Sequence, residues 1–304
     1  MARSATVEVK VDGKTLRLSN LDKVLYPEVG FTKGQVIDYY TRITPVLLPQ
    51  LKDHPLTLKR YPNGVNEKYF YEKQSPSHRP DWVKTVAVPA RGRTIDYTLA
   101  NDLPTLVWLA NLADLELHTS LSKAKNIQRP TAVAFDLDPG PPATIVECSQ
   151  VALWLRDIFK ELGLESFPKT SGSKGMQLYV PLNMPKVTYD QTKPFAKALA
   201  ELLEKQHPKH VVSSMKKELR PKKVLIDWSQ NDEHKTTVSV YSLRAKARPT
   251  VSTPLSWDEV EQILDSGDPD TAVFDSDDVL ARVEKHGDLF EPVAKLKQKL
   301  PQLS

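Results

Sequence analysis

A single cysteine, Cys148, stands in 304 residues, so the chain cannot build a disulfide framework or a cysteine-based zinc site of its own. No stretch approaches the roughly 20 apolar residues that span a bilayer. The opening MARSATVEVKVDG has no apolar run of the secretory kind. Only eleven glycines are present, which argues against a glycine-rich nucleotide fold. These absences point to a reducing, cytoplasmic protein with no membrane contact. Proline is plentiful at 24 residues, which implies many short elements and stiff turns. With 40% hydrophobic and 26% charged residues, the composition is that of an ordinary globular protein. The length allows one large domain or two small ones.

The net charge of +4 hides an asymmetry. From Lys205 to Arg248 there are eleven Lys and Arg against four Asp and Glu, and from Asp258 to Glu291 two against twelve. A basic block beside an acidic one suggests a polyanion-binding face and a separate solvated face. The plainer explanation is ordinary clustering of surface charge.

Residues 6–18 alternate apolar and polar around Asp12-Gly13, the pattern of a β-hairpin with a type I′ turn. Thr32 and Gln35 form a capping box, and Val36, Tyr39, Tyr40 and Ile43 give the following helix one apolar stripe. Short strands are expected over 83–98 around Arg91-Gly92-Arg93, a helix over 104–117, and a buried strand over 132–138. Thr144 with Glu147 opens a helix ending at Gly163. Strands follow at 176–182 and 223–228, with a helix near 190–206 between them, and Ser256 with Glu259 caps a further helix. The mixture favours α+β or mixed α/β. The whole of 1–304 is expected to form one domain: a hairpin over 1–18, the chemistry-bearing motifs over about 130–250, and a helical, acidic then basic segment over 256–304.

The sharpest chemical feature is Asp136 and Asp138, which flank Leu137 at the end of an apolar strand. On a strand, positions i and i+2 share a face about 6.5 Å apart. Two carboxylates that close repel, and one stays protonated unless a cation sits between them. Mg²⁺ or Mn²⁺ suits such oxygen ligands. Asp227 ends another apolar strand and is the natural third ligand, giving a two-metal site. The plain alternative is exposed carboxylates at strand ends. Ser171-Gly172-Ser173-Lys174-Gly175 is a small loop whose N–H groups, hydroxyls and one cation suit a triphosphate, or else it is a simple turn. It is not a Walker loop, because a strand follows it. His118 can donate to a phosphate, although a lone histidine is more often structural. Lys59 and Arg60, followed by Phe70 and Tyr71, interleave cations with aromatics as nucleic-acid binders do, or else mark core aromatics beside a surface cation pair.

Glu8-Val9-Lys10-Val11-Asp12-Gly13 fits the E-x-K-x-D-G pattern around the adenylated lysine of ATP-dependent DNA ligases. The hairpin explains all six residues without chemistry, and no later ligase-like motif follows.

Taken together, the sequence resembles the polymerase domain of bacterial ligase D, in the archaeo-eukaryotic primase superfamily. The stretches that carry the resemblance are Asp22 to Pro27, Lys59 to Gly64, Leu115 to His118, Phe135 to Gly140, Thr170 to Gly175, Asp227 to Asn231 and Tyr241 to Arg244. They follow the family's order across about residues 15–291. The resemblance implies an α+β primase-type core, with an N-terminal α/β module packed on an RRM-like module and a metal cleft between them. It implies template-directed nucleotidyl transfer with Mn²⁺ or Mg²⁺ and a preference for ribonucleotides. Asp136, Asp138 and Asp227 match the metal-holding positions. Ser171, Lys174, His118, Arg220, Arg244 and Gln230 match positions around the incoming nucleotide. Lys59 lies near that pocket, and Phe70 with Tyr71 would stack on the base, Tyr71 standing where a Phe is usual. Asn20, Lys23 and Lys33 match a pocket for the 5′-phosphate across a gap. Lys33 lies in the first turn of its helix, whose exposed N–H donors would assist.

Two departures bear on role. No ligase or nuclease module is present, which implies a free-standing polymerase, probing gapped or primer-template DNA with NTP or dNTP substrates. The segment Thr119 to Thr131 looks shorter than in ligase D, which favours gap filling in repair over end joining at double-strand breaks. The expected setting is cytoplasmic and nucleoid-associated, as a monomer, with a separate ATP-dependent DNA ligase and Ku as candidate partners. Two rivals remain. AFDLD also resembles the aspartyl strand of haloacid-dehalogenase-like phosphatases, but Gly140 stands where that chemistry wants Thr or Val. The other is an inactive DNA-binding module.

Overall fold

The computed structural model describes residues 6–90 and 92–301. Strands β1 (Thr6–Val11) and β2 (Lys14–Ser19) form the expected hairpin. Asp12 and Gly13 both take positive φ, 45° and 75°, as a type I′ turn requires. The ligase-like hexapeptide is thus one strand and its turn. Strands β3 (Val24–Tyr26) and β4 (Phe31–Thr32) lead into helix α1 (Lys33–Leu51), where Thr32 and Gln35 close the capping box and Val36, Tyr39, Tyr40 and Ile43 are buried.

Strands β5 (Leu56–Arg60), β6 (Phe70–Glu72), β7 (Thr85–Ala90) and β8 (Arg93–Thr98) follow. The β7–β8 turn matches the expected basic turn, of which Arg91 lies outside the described residues, as do residues 1–5 and 302–304. Helix α2 (Leu103–Asn111) then stops short of the expected 104–117, and residues Asp114–Thr119 form strand β9. Ala113, at φ 57°, breaks the helix. Beyond it the period is 2, not 3.6: Leu115 and Leu117 enter the core while Glu116 and His118 face the other way. Leu and Ala are good helix formers, and their abundance is why this stretch reads as helix.

The second half runs through β10 (Ala132–Pro139), α3 (Ile145–Glu161), β11 (Phe167–Thr170), β12 (Met176–Pro181), α4 (Tyr189–Gln206), β13 (Val211–Val212), β14 (Val224–Asp227) and β15 (Thr237–Val238). Helices α5 (Trp257–Ser266), α6 (Ser276–His286) and α7 (Glu291–Lys295) complete the described chain.

Two sheets result. One has the order β11-β12-β10-β14-β13, the other β15-β9-β5-β8-β7 with β6 added beside β5. The fold is mixed α/β. Alternation along β10 sets the relation of the sheets. Val133, Phe135 and Leu137 enter a core with Val151 and Phe159 of α3, Phe195 and Leu199 of α4, and Val260 of α5. Ala132 and Ala134 face the other way, into the core that α1, α2 and β9 share. Asp136 and Asp138 continue that second face, toward the sheet holding β9. Each large apolar side chain so buried contributes roughly 1.5–3 kcal/mol.

Candidate active site

The polar ends of the two sheets enclose a cleft of about 420 Å³. Tyr71, His118, Asp136, Asp138, Ser171, Lys174, Gln230 and Arg244 line it, all of them positions singled out from the sequence. Gln177, Thr236 and Lys246 join them.

The acidic wall follows from strand register. β10 and β14 run antiparallel with Asp136 directly opposite Asp227, and Asp138 lies two residues on, on the same face. Gln177, opposite Asp136 on β12, donates to Asp136 Oδ1 at 3.0 Å. Asp227 accepts from Ser229 N at 2.9 Å and from Gln230 Nε2 at 2.8 Å. Burial, then the charge of Asp138, pushes the Asp136 carboxyl up to about 7. Burial and Asp227 likewise raise Asp138, and Arg220 opposes this. Arg220 therefore stands beside the carboxylates and does not line the cleft; its guanidinium donates to Met215 O at 2.7 Å.

Three oxygen-only ligands on one sheet face, two of them driven toward neutrality by burial and by neighbouring carboxylates, form a donor set that fits a hard divalent ion. Among the described residues, no three such side chains are gathered closely enough to hold a metal as they stand. The bonds from Gln177, Ser229 and Gln230 account for this: they hold oxygens that would have to turn toward an ion.

The loop after β11 approaches β10 closely. A Cβ on Gly175 would lie 2.1 Å from Leu137 O, so only glycine lets the loop sit there. Most of the loop's N–H groups are already engaged, and only that of Lys174 has no partner among the described residues. Gly172 N donates to Thr170 Oγ1, and Ser173 N and Gly175 N both donate to Ser171 Oγ. What it presents to the cleft is the Lys174 amine and the Ser171 hydroxyl proton. Arg244 fastens it from across the cleft by donating to Ser171 O.

The basic wall is organised by a residue that sequence reasoning missed. Glu116 Oε1 accepts from Lys59 Nζ and from Ala245 N, each at 3.1 Å. Its Oε2 lies 3.0 Å from His118 Nε2 and 3.4 Å from Arg244 Nε. Burial alone would raise this carboxyl, but the bond from His118 and the charges of Arg244, His118 and Lys59 hold it well below the usual carboxylate range. An ionised carboxylate only accepts, so His118 carries a proton on Nε2. Burial lowers the His118 pKa, with Glu116 opposing and Arg244 and Lys59 assisting. Lys59 lies one link behind the cleft, its Nζ 4.8 Å from the centre of the Tyr69 ring and 5.4 Å from that of Tyr61. The signal for Glu116 was its place two residues before His118, visible only once the stretch is read as a strand.

Tyr71 packs edge-on to His118 with ring centres 6.0 Å apart. Phe70, its neighbour on β6, points to the opposite side and is outside the cleft. Also missed was Lys169, fully buried behind the acidic wall, with Nζ 2.7 Å from Ser252 Oγ and 3.1 Å from Val238 O. Burial lowers its pKa to about 7.

Asn20, Lys23 and Lys33 gather at a separate place. Lys23 Nζ donates to Asn63 Oδ1 at 2.9 Å and Lys33 Nζ to Ser19 O at 2.6 Å. Burial, and the charge of Lys23, lower Lys33 to about 8. The helix end is not open to an anion as expected. Lys33 N donates to Lys23 O, Gly34 N to Leu21 O and Gln35 N to Thr32 Oγ1. Any anion here would be met by the lysine amines alone.

Residues 32–290 match the family described as LigD, primase-polymerase domain. The chain belongs to that family. Primase-polymerase domains of the family are DNA-directed nucleotidyltransferases, and this chain is one by class. It is 41% identical over 280 residues to the multifunctional non-homologous end joining protein LigD of Mycolicibacterium smegmatis, covering 91% of this chain and 36% of that protein. It is 32% identical over 272 residues to the bifunctional non-homologous end joining protein LigD of Bacillus subtilis, covering 90% of this chain and 43% of that one. The chain thus spans about two fifths or less of these relatives' length in the first case and slightly more in the second. The polymerase domain of Mycobacterium tuberculosis ligase D, solved in complex with DNA, superposes with a TM-score of 0.86 at 37% identity, covering 93% of this chain and 99% of that one. Family membership removes the phosphatase reading.

Proposed function

We propose that the chain is a template-directed DNA polymerase of the primase type, which prefers ribonucleotides and fills short gaps bearing a 5′-phosphate. The observation that carries the reading is one cleft lined by both signs of charge: Asp136 and Asp138 of β10, with Asp227 of β14 behind them opposite Asp136, and the cations Lys174 on the loop after β11 and Arg244 and Lys246 across from it. That pairing suits a polyanion reacting at phosphorus. The sheet holding β10 is taken as the RRM-like half.

In this reading Asp136, Asp138 and Asp227 hold Mn²⁺ or Mg²⁺, two ions in all, which when bound neutralise phosphate charge and activate the attacking 3′-oxygen. Lys174, Arg244 and Lys246 take the triphosphate as fixed charges, and the Ser171 hydroxyl donates to it. His118, its Nε2 proton held by Glu116, turns Nδ1 to the nucleotide. Tyr71 packs on the base, with Phe70 placed for a neighbouring base on the outer side of β6. Gln230 lies near the sugar. Arg220 supports Asp138 rather than touching the nucleotide. The Lys23–Lys33 pocket, with Asn20, receives the 5′-phosphate across the gap.

Gap filling is favoured over break joining because the 119–131 segment is folded down, closed by the Ser122–Pro130 bridge and by Ala124 N donating to Asp53 O. The end-joining reading rests on the relatives' names and would bring Ku and an ATP-dependent ligase as partners. Among the described residues no helix is long and apolar enough to cross a membrane.

The test is extension of a primer across a one- or two-nucleotide gap, with ribo- and deoxynucleotides, in Mn²⁺, Mg²⁺ or EDTA. Template-directed, metal-dependent incorporation that favours ribonucleotides is expected. Binding of gapped DNA without incorporation would leave the inactive-module reading standing.

A further inference from the structure

Three groups on the basic wall carry or can carry positive charge within reach of one another, and between them sits one acid, Glu116. Its side chain is 2% exposed, yet groups from three separate segments converge on it: Lys59 from β5, His118 from β9 itself and the Ala245 amide from the loop after β15 bond to it, and Arg244 from that loop pairs with it by charge at 3.4 Å. Its own backbone is fixed on either side. Tyr40 Oη donates to Leu115 O at 2.7 Å, and Leu117 N donates to Ser242 Oγ at 2.9 Å. Arg244 then reaches onward to Ser171 O, so the carboxylate is tied through one guanidinium to the loop on the opposite wall.

We propose that Glu116 is a positioning residue, whose carboxylate gathers Lys59, His118 and Arg244 into the arrangement that receives a nucleoside triphosphate. This rests on the polymerase reading above. The charge argument gives the proposal a sign. Among the described residues Glu116 is the acid in ion-pair contact with this group, and by Coulomb's law its negative charge repels an incoming triphosphate. If charge alone mattered, removing it would tighten nucleotide binding. If the carboxylate acts by holding the Lys59 and Arg244 cations, which otherwise repel each other, and the His118 ring in one arrangement, removing it weakens binding in spite of the charge gained. Preorganised cations cost little to arrange when the ligand arrives, which is where affinity and rate are won in charged sites.

The test uses Glu116→Gln, which keeps size and one acceptor but removes the charge, and Glu116→Asp, which keeps the charge one methylene further back. Four quantities are measured beside the wild type: the Kd for ATP by displacement of a fluorescent ATP analogue, KM and kcat on a one-nucleotide gap, the Kd for that gapped DNA, and Tm. Glu116→Gln is expected to raise Kd and KM for the nucleotide at least tenfold while gapped-DNA affinity stays within twofold. Glu116→Asp should fall between it and the wild type. Nucleotide binding by Glu116→Gln as tight as wild type, or tighter, overturns the proposal. So does a parallel fall in nucleotide affinity, DNA affinity and Tm, which marks a purely structural acid. Should Glu116→Gln not fold, a folded Glu116→Asp with wild-type KM overturns it too. A wild type that neither binds ATP nor extends the primer removes the polymerase reading instead, whereas an active wild type matched by Glu116→Gln removes only this inference.

Discussion

The two walls of the cleft are built on opposite plans. Each concentrates charge of one sign, and each has one buried group of the other sign behind it. On the basic wall that group, Glu116, touches its cations at 3.0 to 3.4 Å. On the acidic wall it is Lys169, which bonds only to a hydroxyl and a carbonyl and forms no ion pair among the described residues. The basic wall is therefore complete within the protein. The acidic wall is not: burial and neighbouring carboxylates push Asp136 and Asp138 toward neutrality. One wall is ready for an anion, and the other is short of cations. A site for a metal-bound polyanion needs both halves of that difference.

The largest effect should come from breaking the acidic wall. Asp136→Ala, Asp138→Ala and Asp227→Ala are each expected to lower incorporation by about a thousandfold or more, as loss of a central electrostatic group does. Gapped-DNA affinity should stay within a few-fold, because phosphate contacts supply it. Single-turnover extension and a DNA titration check both. Near-normal extension by Asp227→Ala would show that the carboxylate facing Asp136 plays no part.

The comparison also predicts a difference in stability. The Asp136 carboxyl is raised to about 7 in the fold, against about 3.9 when unfolded. The stability this group contributes is thus fully present below pH 4 and is lost as pH rises through 7. Asp136→Asn keeps the neutral form at every pH. In EDTA it should melt about 2–4 °C above wild type at pH 8, on the order of 1–2 kcal/mol, and close to wild type at about pH 4. Saturating Mn²⁺ should narrow the gap at pH 8 by stabilising only the wild type. An equal offset at both pH values would mean that the wall is not short of cations.

On the basic wall, His118→Ala should raise KM for ribonucleotides about tenfold and lower the rate, since it removes one nucleotide contact and one donor to Glu116. Steady-state kinetics with both sugar types measure it, and unchanged values would return His118 to a structural role.

How much of this was legible in the sequence follows from strand periodicity. Asp136, Asp138 and Asp227 end apolar runs, so their place on strand ends and a shared face could be read directly. Glu116 could not, because a run rich in Leu and Ala suits a helix and hid the switch to strand at Ala113. Gln177 and Lys169 are single polar residues within buried strands, and nothing local marks which face they take. Only the register of β10, β11 and β12 does. The capped helices were plain, but a cap and an anion site compete for the same N–H groups, and at α1 and at Gly172, Ser173 and Gly175 of the Ser171 loop the protein's own acceptors hold them.

The smallest expected effect lies outside both walls, at Lys23 and Lys33, and it sharpens the contrast between them. Like the basic wall, this is a pair of cations, but it lacks an acid to organise it. Both amines rest on neutral oxygens, and neither forms an ion pair among the described residues. Such a pair is held in place yet uncompensated, and a terminal phosphate supplies the missing charge. A one-nucleotide gap with a 5′-phosphate should therefore bind about five- to tenfold more tightly than the same gap with a 5′-hydroxyl, about 1 kcal/mol. The preference should shrink as salt rises. It should also shrink with pH. Burial lowers Lys33 to about 8, so the amine is charged at pH 7 and largely neutral at pH 9. A terminal phosphate is already doubly charged across that range, its second pKa being about 6. The lysine is then the group whose titration moves the preference, and the sign is a loss between pH 7 and 9. Lys23→Ala with Lys33→Met, which keeps the buried stem, should abolish the preference at pH 7 while a recessed primer is still extended. Fluorescence anisotropy on the two gaps at three pH values decides it: equal affinity at pH 7, or a preference that persists unchanged to pH 9, would remove Lys33 from the site.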